Sequence, residues 1–429
     1  MSILDNHSHA PVPENERVTG VRIAIIIIGI GITLPAFLVG AEIVLALGFT
    51  SGFLACATAG MVLAIMATLA MLVGTRTHLS TAAIIRLTFG QTGSKLVNTL
   101  LSATLLGWFG VTAVLFGQVT HRIIEDVIHF NIPATLLVIS GSVLMVLTTV
   151  FGFRAIDGLS RLAVPLLILM LFGAIFYTFQ EMSWIDIFHL KPSSGHESIY
   201  SIGSGASLII GSFIVGVTIT PDMSRFARKT SDAVKGALIS YGSGSQILLF
   251  LTGIPALATG EKDLILTMTM LGLGLPALAV MLLATWTTNV NNLYSSSLTF
   301  AQILPRWPDW CITVCAGIVG TVLAIVVGVE NFIHFLIFLS IAIPPIAGIY
   351  ITDFFLIRRS RNLTSADAQA PDWNANAFLA WLIAGCFGAY EVTNKISVTG
   401  VQAVDATLMA AIVFYFLSRA QDLKKSVFR

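Results

Sequence analysis

One polar cluster interrupts a long apolar run. It reads Ala284-Thr-Trp-Thr-Thr-Asn-Val-Asn291, and no charged residue falls within 264–305. On an α-helix, positions 284, 287, 288 and 291 form one stripe, so the Thr287 and Thr288 hydroxyls and a loosened carbonyl at Ala284 point the same way. Such neutral oxygens hold hard monovalent cations in transporters. We expect a sodium site here; the alternative is that the hydroxyls bond back to their own helix or pack against a neighbour.

Two aromatic residues lie beside glycines, in Gly107-Trp-Phe-Gly110 and in Gly211-Ser-Phe213. A ring beside glycine has room to expose its face to a flat solute. Trp108 and Phe213 could therefore sandwich a heterocycle, since offset stacking contributes about 0.5–1.5 kcal/mol per pair beyond buried area. Ser212 and Asn289 are candidates for polar contacts to the ring edge. Packing or interfacial roles are the alternative for both aromatic residues.

Glu42 is the one acidic residue that we place inside an apolar span. Intramembrane carboxylates are functional candidates because burying their charge is costly. Glu42 lies beyond Pro35, toward the predicted outer end of its span. A protonatable coupling site and a hydrogen-bonded structural residue are both open.

These residues must be positioned by helices in a membrane, because 56% of the chain is apolar, only 10% is charged and the mean hydropathy is +0.89. A helix needs about 20 apolar residues to cross a bilayer. The sequence predicts an all-α polytopic membrane protein with twelve transmembrane helices. The predicted spans are 22–46, 52–74, 97–120, 132–152, 162–180, 200–220, 235–258, 277–302, 310–329, 332–354, 374–391 and 400–418.

Lysine and arginine fix the expected orientation. With both termini in the cytoplasm, all but four of the 23 basic residues lie inside, as the positive-inside rule requires. The four outside are Arg122, Lys191, Lys262 and Lys395. We expect a multi-pass protein of a bacterial inner membrane, surrounded by the lipid bilayer.

The first and sixth spans are rich in residues that loosen a helix. The first contains three glycines and Pro35, and the sixth contains four glycines before Pro221. Freed backbone groups at membrane depth are tolerated where they line a cavity, and broken helices in corresponding positions of two halves indicate a transporter site. The alternative is that these glycines only permit close packing.

Five short motifs carry a family resemblance. They are Pro11-Val-Pro13, Gly107-Trp-Phe-Gly110, Gly211-Ser-Phe213, Trp286-Thr-Thr-Asn289 and Ala342-Ile-Pro-Pro345. Their order and spacing resemble the nucleobase:cation symporter-1 family, and most of all its bacterial cytosine permeases. The similarity extends over nearly the whole chain.

The resemblance implies a leucine-transporter-like core of two inverted five-helix repeats, 22–180 and 200–354, between a cytoplasmic segment 1–21 and two appended helices in 374–418, with a tail 419–429. It implies import of a nucleobase-like heterocycle by sodium symport. Trp108 and Phe213 would sandwich the ring, and Ser212 and Asn289 would reach its edge. Carbonyls of Thr33, Ala36 and Ala284 would hold sodium together with the Thr287 and Thr288 hydroxyls. We expect a monomer.

The chain departs from the cytosine permease pattern at two polar positions. Leu105 stands where those permeases have glutamine, and Val290 where they have an acidic residue. Unpaired polar groups in a dry pocket cost about 1–3 kcal/mol each, so cytosine itself is disfavoured. Purines, hydroxymethylpyrimidines and hydantoin-like rings remain candidates, and proton coupling through Glu42 is the alternative to sodium.

Other function classes lose support. The chain has no GxxxxGK[ST], no HExxH and no converging catalytic side chains, so a membrane-embedded enzyme is a distant alternative. The net charge of +1 argues against nucleic acid as a partner.

Overall fold

The computed structural model describes residues 17–150, 153–190, 200–261, 264–270, 272–304, 306–358 and 371–427. The Pro11–Pro13 motif lies outside these residues, as do parts of both predicted terminal segments. The described chain is helical. The first nine helices are α1 Gly20–Gly31, α2 Leu34–Thr77, α3 Thr81–Phe89, α4 Gln91–Ile128, α5 Ala134–Val150, α6 Phe153–Glu181, α7 Trp184–His189, α8 Ile202–Thr218 and α9 Pro221–Ser224.

The second set of helices completes the fold. It comprises α10 Thr230–Ala237, α11 Ser245–Thr259, α12 Leu264–Met270, α13 Gly274–Ile303, α14 Asp309–Val327, α15 Phe332–Ala342, α16 Pro344–Thr352, α17 Ala375–Asn394 and α18 Gln402–Val427. Two π-helical segments, Leu238–Gly244 and Asp353–Ile357, connect α10 to α11 and extend α16.

Seven helices of the described chain are long and apolar enough to cross a membrane, and four apolar helices are shorter. A helix satisfies its own backbone hydrogen bonds, which is what a segment in hydrocarbon requires. Where the structure describes the predicted spans, most of their residues are helical. Between the seventh and eighth predicted spans, Leu264–Met270 form the short helix α12.

The first predicted span is broken. α1 ends at Gly31 and α2 begins at Leu34, with Ile32 and Thr33 both extended. α2 then continues through 44 residues, and a straight helix of that length would measure about 66 Å. Gly48 bends it with φ 76°, a conformation that glycine adopts without strain. The turn predicted between the first two spans is therefore present as a kink.

The sixth predicted span is continuous where a break was expected. α8 runs through Gly211 without interruption and ends at Thr218, so the interruption lies at its end, before Pro221. At Gly211, a Cβ atom would lie only 2.3 Å from the Leu336 carbonyl oxygen of α15. Close packing, rather than helix unwinding, explains this glycine.

Packing joins the two halves of the chain. α4 lies along α13 and α14, and α2 lies along α8 and α11. The buried side chains form two clusters. The first, larger cluster involves α1, α2, α8, α11 and α15, and the second fills the space among α4, α5, α13 and α14.

Candidate functional site

The break between α1 and α2 leaves backbone groups without helical partners. The last carbonyls of α1 and the first N–H groups of α2 have no partner within their own helix apart from caps. The Ile32 N–H donates to the Ile28 carbonyl, and the Ala36 N–H donates to the Thr33 hydroxyl at 3.4 Å. Pro35 removes one N–H from the first turn of α2. The Thr33 carbonyl accepts the Phe37 N–H at 3.2 Å, which is the first backbone bond of α2.

A recess opens beside this break, and the space between atoms there, open solvent included, is about 240 Å³. Its walls come from the break, from α8 and from α11. The residues around it are Gly31, Ile32, Ala36, Phe37, Phe213, Ser245, Leu248 and Leu249. The structure thus brings together two residues predicted from the sequence, Ala36 and Phe213, and adds a wall from α11 that the sequence did not indicate.

Phe213 and Trp108 are both half-buried and border the first cluster. The Phe213 ring meets Tyr241 edge-on at 6.4 Å between centroids. Trp108 meets Phe332 and Phe335 of α15 edge-on, at 5.8 and 5.5 Å. All three pairs are T-shaped, with the edge of one ring lying against the face of the other.

Phe332, Phe335 and Tyr241 were missed by sequence reasoning. The first two are three residues apart and share one face of α15, which packs on α8. The Phe335 ring lies over Gly107, where a Cβ atom would come within 2.6 Å of it. Periodicity could have placed the two phenylalanines on one face, but only the packing of α15 shows that this face meets Trp108.

Ser212 and Asn289 are not directed to one place. The Ser212 hydroxyl donates to the Ile209 carbonyl of its own helix at 2.7 Å. Asn289 is fully buried, its amide donates to the Met145 sulfur at 3.2 Å, and its Oδ1 has no partner. Because Met145 belongs to the second cluster, Asn289 lies on a different side of α13 from the first cluster's residues.

The predicted sodium ligands occupy two elements that contact each other, α2 and α13. Ala284 is buried, and its carbonyl accepts the Thr287 hydroxyl at 2.9 Å. Thr287 therefore shows the back-bonding that was the alternative interpretation. Among the described residues the half-buried Thr288 hydroxyl has no hydrogen-bond partner. Thr288 is the member of the stripe most available to an ion.

Glu42 is half-buried on α2 and accepts a hydrogen bond from the Tyr200 hydroxyl at 3.4 Å. Tyr200 directly precedes α8. This hydrogen bond links the first half of the chain to the second.

The helix α3, at the predicted cytoplasmic end, is held at both of its ends. At its start, the Thr81 N–H donates to the Asp222 carboxylate at 2.8 Å. At its end, the Asp353 carboxylate accepts from the Thr88 hydroxyl at 2.9 Å and from the Arg358 guanidinium at 2.8 Å. We refer to these contacts as the α3 clasp. They connect the first half of the chain to the second by charged groups.

Asp222 is half-buried within this clasp. Burial raises its pKa above the ordinary value of 3.8, while the hydrogen bond from Thr81 and the charge of Arg225 act in the opposite direction. The Asp222 carboxylate thus contacts α3, and the Arg225 Nε donates to the Asp222 carbonyl at 3.2 Å. A negative charge at the first turn of a helix is favoured by the helix dipole.

Similarity to known sequences covers most of the chain. A family described as permease for cytosine/purines, uracil, thiamine and allantoin matches residues 11–416. Cytosine permease of Escherichia coli (strain K12) is 32% identical over 359 residues, which are 84% of this chain and 83% of that protein. Hydantoin permease of Microbacterium maritypicum is 26% identical over 302 residues, covering 64% of this chain and 60% of that protein.

Solved structures share the fold. Mhp1, a nucleobase-cation-symport-1 family transporter, in a closed conformation with bromovinylhydantoin bound, has a TM-score of 0.80 at 19% identity, over 99% of this chain and 97% of its own. Its inward-facing conformation gives 0.85 at 20% identity, over 98% and 95%. A sodium-coupled sialic acid symporter gives 0.59 at 12% identity, over 94% and 90%.

Proposed function

The chain belongs to the family of permeases for cytosine/purines, uracil, thiamine and allantoin, and from this premise we propose that it imports a small planar nucleobase-like heterocycle by sodium symport. It is a multi-pass membrane transporter of small heterocycles and not an enzyme, because its relatives are permeases. The observation that carries the proposal is the recess at the α1/α2 break, where the Phe213 ring lies beside the non-helical backbone of Ile32 inside an apolar bundle.

The proposed architecture has twelve crossings, with both termini cytoplasmic in a bacterial inner membrane. Two inverted five-helix repeats, 22–180 and 200–354, form the core, 374–418 supplies two appended helices, and the protein acts as a monomer. The packing of α4 on α13 and of α2 on α8 and α11 supports this arrangement, because it pairs helices from the two proposed repeats. Alternating access would then move one repeat-derived bundle against the other.

In the proposed substrate site, Trp108 and Phe213 sandwich the ring, while Ser212 and Asn289 reach its edge. The half-buried position of both rings at the border of the first cluster supports the sandwich. The unpartnered Oδ1 of the buried Asn289 is consistent with an acceptor kept for a ligand. For the Ser212 hydroxyl to donate to the ring edge, it must give up its bond to the Ile209 carbonyl.

In the proposed sodium site, the Thr287 and Thr288 hydroxyls act with carbonyls of Thr33, Ala36 and Ala284. Neutral oxygens from a helix stripe and from an unwound neighbour suit a monovalent cation. The broken backbone at Thr33 and the unpartnered Thr288 hydroxyl support it. A protein ion site of this kind carries no net charge, so binding of sodium does not require a deprotonation step.

A second candidate is a proton-coupled symporter of a hydantoin- or hydroxymethylpyrimidine-like solute. The contact between Tyr200 and Glu42 favours it, because a carboxylate that joins α2 to the start of α8 could couple protonation to the opening of the outer side. Leu105 and Val290 replace polar residues of the cytosine permease pattern, which also favours a different ring. The hydantoin permease relative gives this substrate class a precedent.

The test is the thermal stability of the purified protein with cytosine, uracil, adenine, hydantoin and allantoin, each in sodium and in choline. A ligand that binds the native state selectively raises the melting temperature. A shift that requires sodium supports the proposal. A shift that depends on pH and not on sodium supports the second candidate, and a folded protein that responds to none of the five compounds contradicts both.

A further inference from the structure

Ser245 is the first residue of α11 and one of the residues that line the recess. Its side chain is 6% exposed, and its hydroxyl has no hydrogen-bond partner among the described residues. A buried hydroxyl without a partner costs free energy, so native proteins usually satisfy such groups. The position of this one, at the wall of a cavity, points to a partner that arrives from outside the chain.

Ser245 shares this state with five other buried hydroxyls of the described residues, but among the six only Ser245 lines the recess. Buried serines and threonines of this protein mostly bond to a carbonyl three or four residues earlier, as Ser240 does to Gly236 at 2.7 Å and Ser297 does to Leu293 at 2.7 Å. Ser245 does not, because it follows the π-helical segment Leu238–Gly244. There the Ser245 N–H bonds to the Ser240 carbonyl, five residues earlier, so the usual acceptor is displaced.

Phe213 and Ser245 face the same point beside the break. A Cβ atom on Gly31 would lie 3.4 Å from the edge of the Phe213 ring and 3.7 Å from the Ser245 hydroxyl oxygen. A solute stacked on Phe213 and reaching toward the end of α1 would therefore come within range of this hydroxyl. Its length and both of its hydrogen-bonding roles suit a carbonyl or an N–H group.

We propose that Ser245 is a specificity-determining residue, whose hydroxyl forms a hydrogen bond with a carbonyl or ring N–H at the edge of the heterocycle. The inference rests on the proposed function and extends it to α11, which supplied no predicted site residue. The π-helical segment is the structural reason, because it keeps the hydroxyl from bonding to its own helix.

The experiment compares Ser245→Ala with Ser240→Ala. Ser240 is a matched control, because its hydroxyl is buried in the adjacent π-helical segment and already donates to the Gly236 carbonyl. The dissociation constant is measured by titration calorimetry for whichever of cytosine, uracil, adenine, hydantoin or allantoin stabilises the wild-type protein. We expect Ser245→Ala to weaken binding about tenfold, the effect of one lost hydrogen bond to a ligand. Ser240→Ala should leave the constant within about twofold.

A second measurement separates a direct contact from a general disturbance of the recess. Derivatives of the same heterocycle, each methylated at one ring N–H or lacking one carbonyl, are titrated against wild-type protein and Ser245→Ala. One derivative, which lacks the group that bonds to Ser245, should bind the wild-type protein more weakly than the parent heterocycle does. It should bind the wild-type protein and Ser245→Ala equally, because the hydrogen bond that the substitution removes is already absent. An equal loss for every derivative on substitution would overturn the inference.

A failure of the Ser245 inference can be distinguished from a failure of the proposed function. Ser245→Ala should melt at the same temperature as the wild type or higher, since it removes an unpartnered buried hydroxyl, and this checks the fold. If the wild type binds a heterocycle and Ser245→Ala binds it equally well, this inference alone is wrong. If the folded wild type binds none of the five compounds, the proposed function and the inference are both wrong.

Discussion

The recess and the α3 clasp use polar groups in different ways. Around the recess the polar atoms are neutral, and the buried Ser245 hydroxyl has no hydrogen-bond partner among the described residues. In the clasp the half-buried Asp222 and the buried Asp353 each accept a hydrogen bond from α3, which is distant in sequence. The clasp is not fully satisfied, because the Thr81 and Ser224 hydroxyls are buried without partners, but its charges are paired.

By this difference the recess is suited to binding a ligand, and the α3 clasp is suited to stabilising the fold. A group left without a partner in a dry interior gains by contacting a ligand, whereas a paired buried charge resists separation. Changes around the recess should therefore alter affinity with little effect on the melting temperature. Changes in the clasp should alter stability, or the distribution between open and closed states, with little effect on the ligand contacts.

Replacing Trp108 gives the largest effect that we expect. Trp108→Ala removes one wall of the proposed sandwich, and loss of a central aromatic anchor commonly costs more than about 2 kcal/mol. We expect heterocycle affinity to fall by roughly 30-fold or more, measured by titration calorimetry. The control is Trp310→Ala, whose side chain is 60% exposed. Wild-type affinity in Trp108→Ala would remove the sandwich and place the binding face elsewhere.

Breaking the clasp should lower stability instead. Arg358→Ala leaves the buried Asp353 carboxylate with one hydrogen-bond donor, Thr88, and removes the contact to the Leu87 carbonyl. Because the Arg358 side chain is 27% exposed, we expect a loss of about 2–3 kcal/mol, below that of a fully buried pair. Thermal denaturation in detergent measures it. Arg86→Ala, an exposed arginine on α3 itself, is the control; equal destabilisation by both would show that the clasp adds nothing specific.

The sodium proposal predicts an intermediate effect on the recess side. Thr288→Ala removes a hydroxyl that has no partner among the described residues, so the fold should be unaffected. We expect the sodium concentration for half-maximal ligand stabilisation to rise about tenfold, the effect of one lost ligand oxygen. Thr285→Ala is the control, because its hydroxyl bonds back to the Met281 carbonyl. Unchanged sodium dependence in Thr288→Ala would make the stripe structural.

The smallest effect concerns pH and the clasp. Since burial raises the pKa of Asp222 above 3.8, the folded state holds this proton more tightly than the unfolded state. The contribution of Asp222 to stability is then greatest below pH 3.8 and declines as pH rises from there to the raised pKa, becoming constant above it. Asp222→Asn should flatten that part of the stability profile, measured by melting temperature against pH; a profile identical to that of the wild type would contradict the assignment.

The helices and the first break were predictable because they depend on local properties. Apolar runs of sufficient length must be helical in a bilayer, and glycines with Pro35 weaken the first span at one place. The sixth span has similar glycines, and composition alone did not show that it would behave differently from the first. Its glycines accommodate close backbone contacts, such as that of Gly211 with Leu336. Whether a glycine loosens a helix or permits an approach depends on what lies opposite.

Side-chain direction and long-range pairing were less accessible. The sequence placed Asn289 beside the substrate, while the structure turns its amide toward Met145, on a helix 144 residues away in sequence. The contact of Asp222 with Thr81 spans 141 residues, and nothing local indicates it. Ser245 was not singled out because a serine at a helix start normally needs no explanation, and the π-helical segment that isolates its hydroxyl leaves no clear sequence pattern.

The π-helical segment Leu238–Gly244 also affects how the protein can change during evolution. A π-helical turn accommodates one more residue than an α-helix while the flanking helices keep their faces. Deleting one residue within 238–244 should leave the packing of α10 and α11 in place and return an acceptor to the Ser245 hydroxyl. A single codon gained or lost would then add or withdraw a ligand contact, so solute preference could shift through chain length without any substitution in the recess.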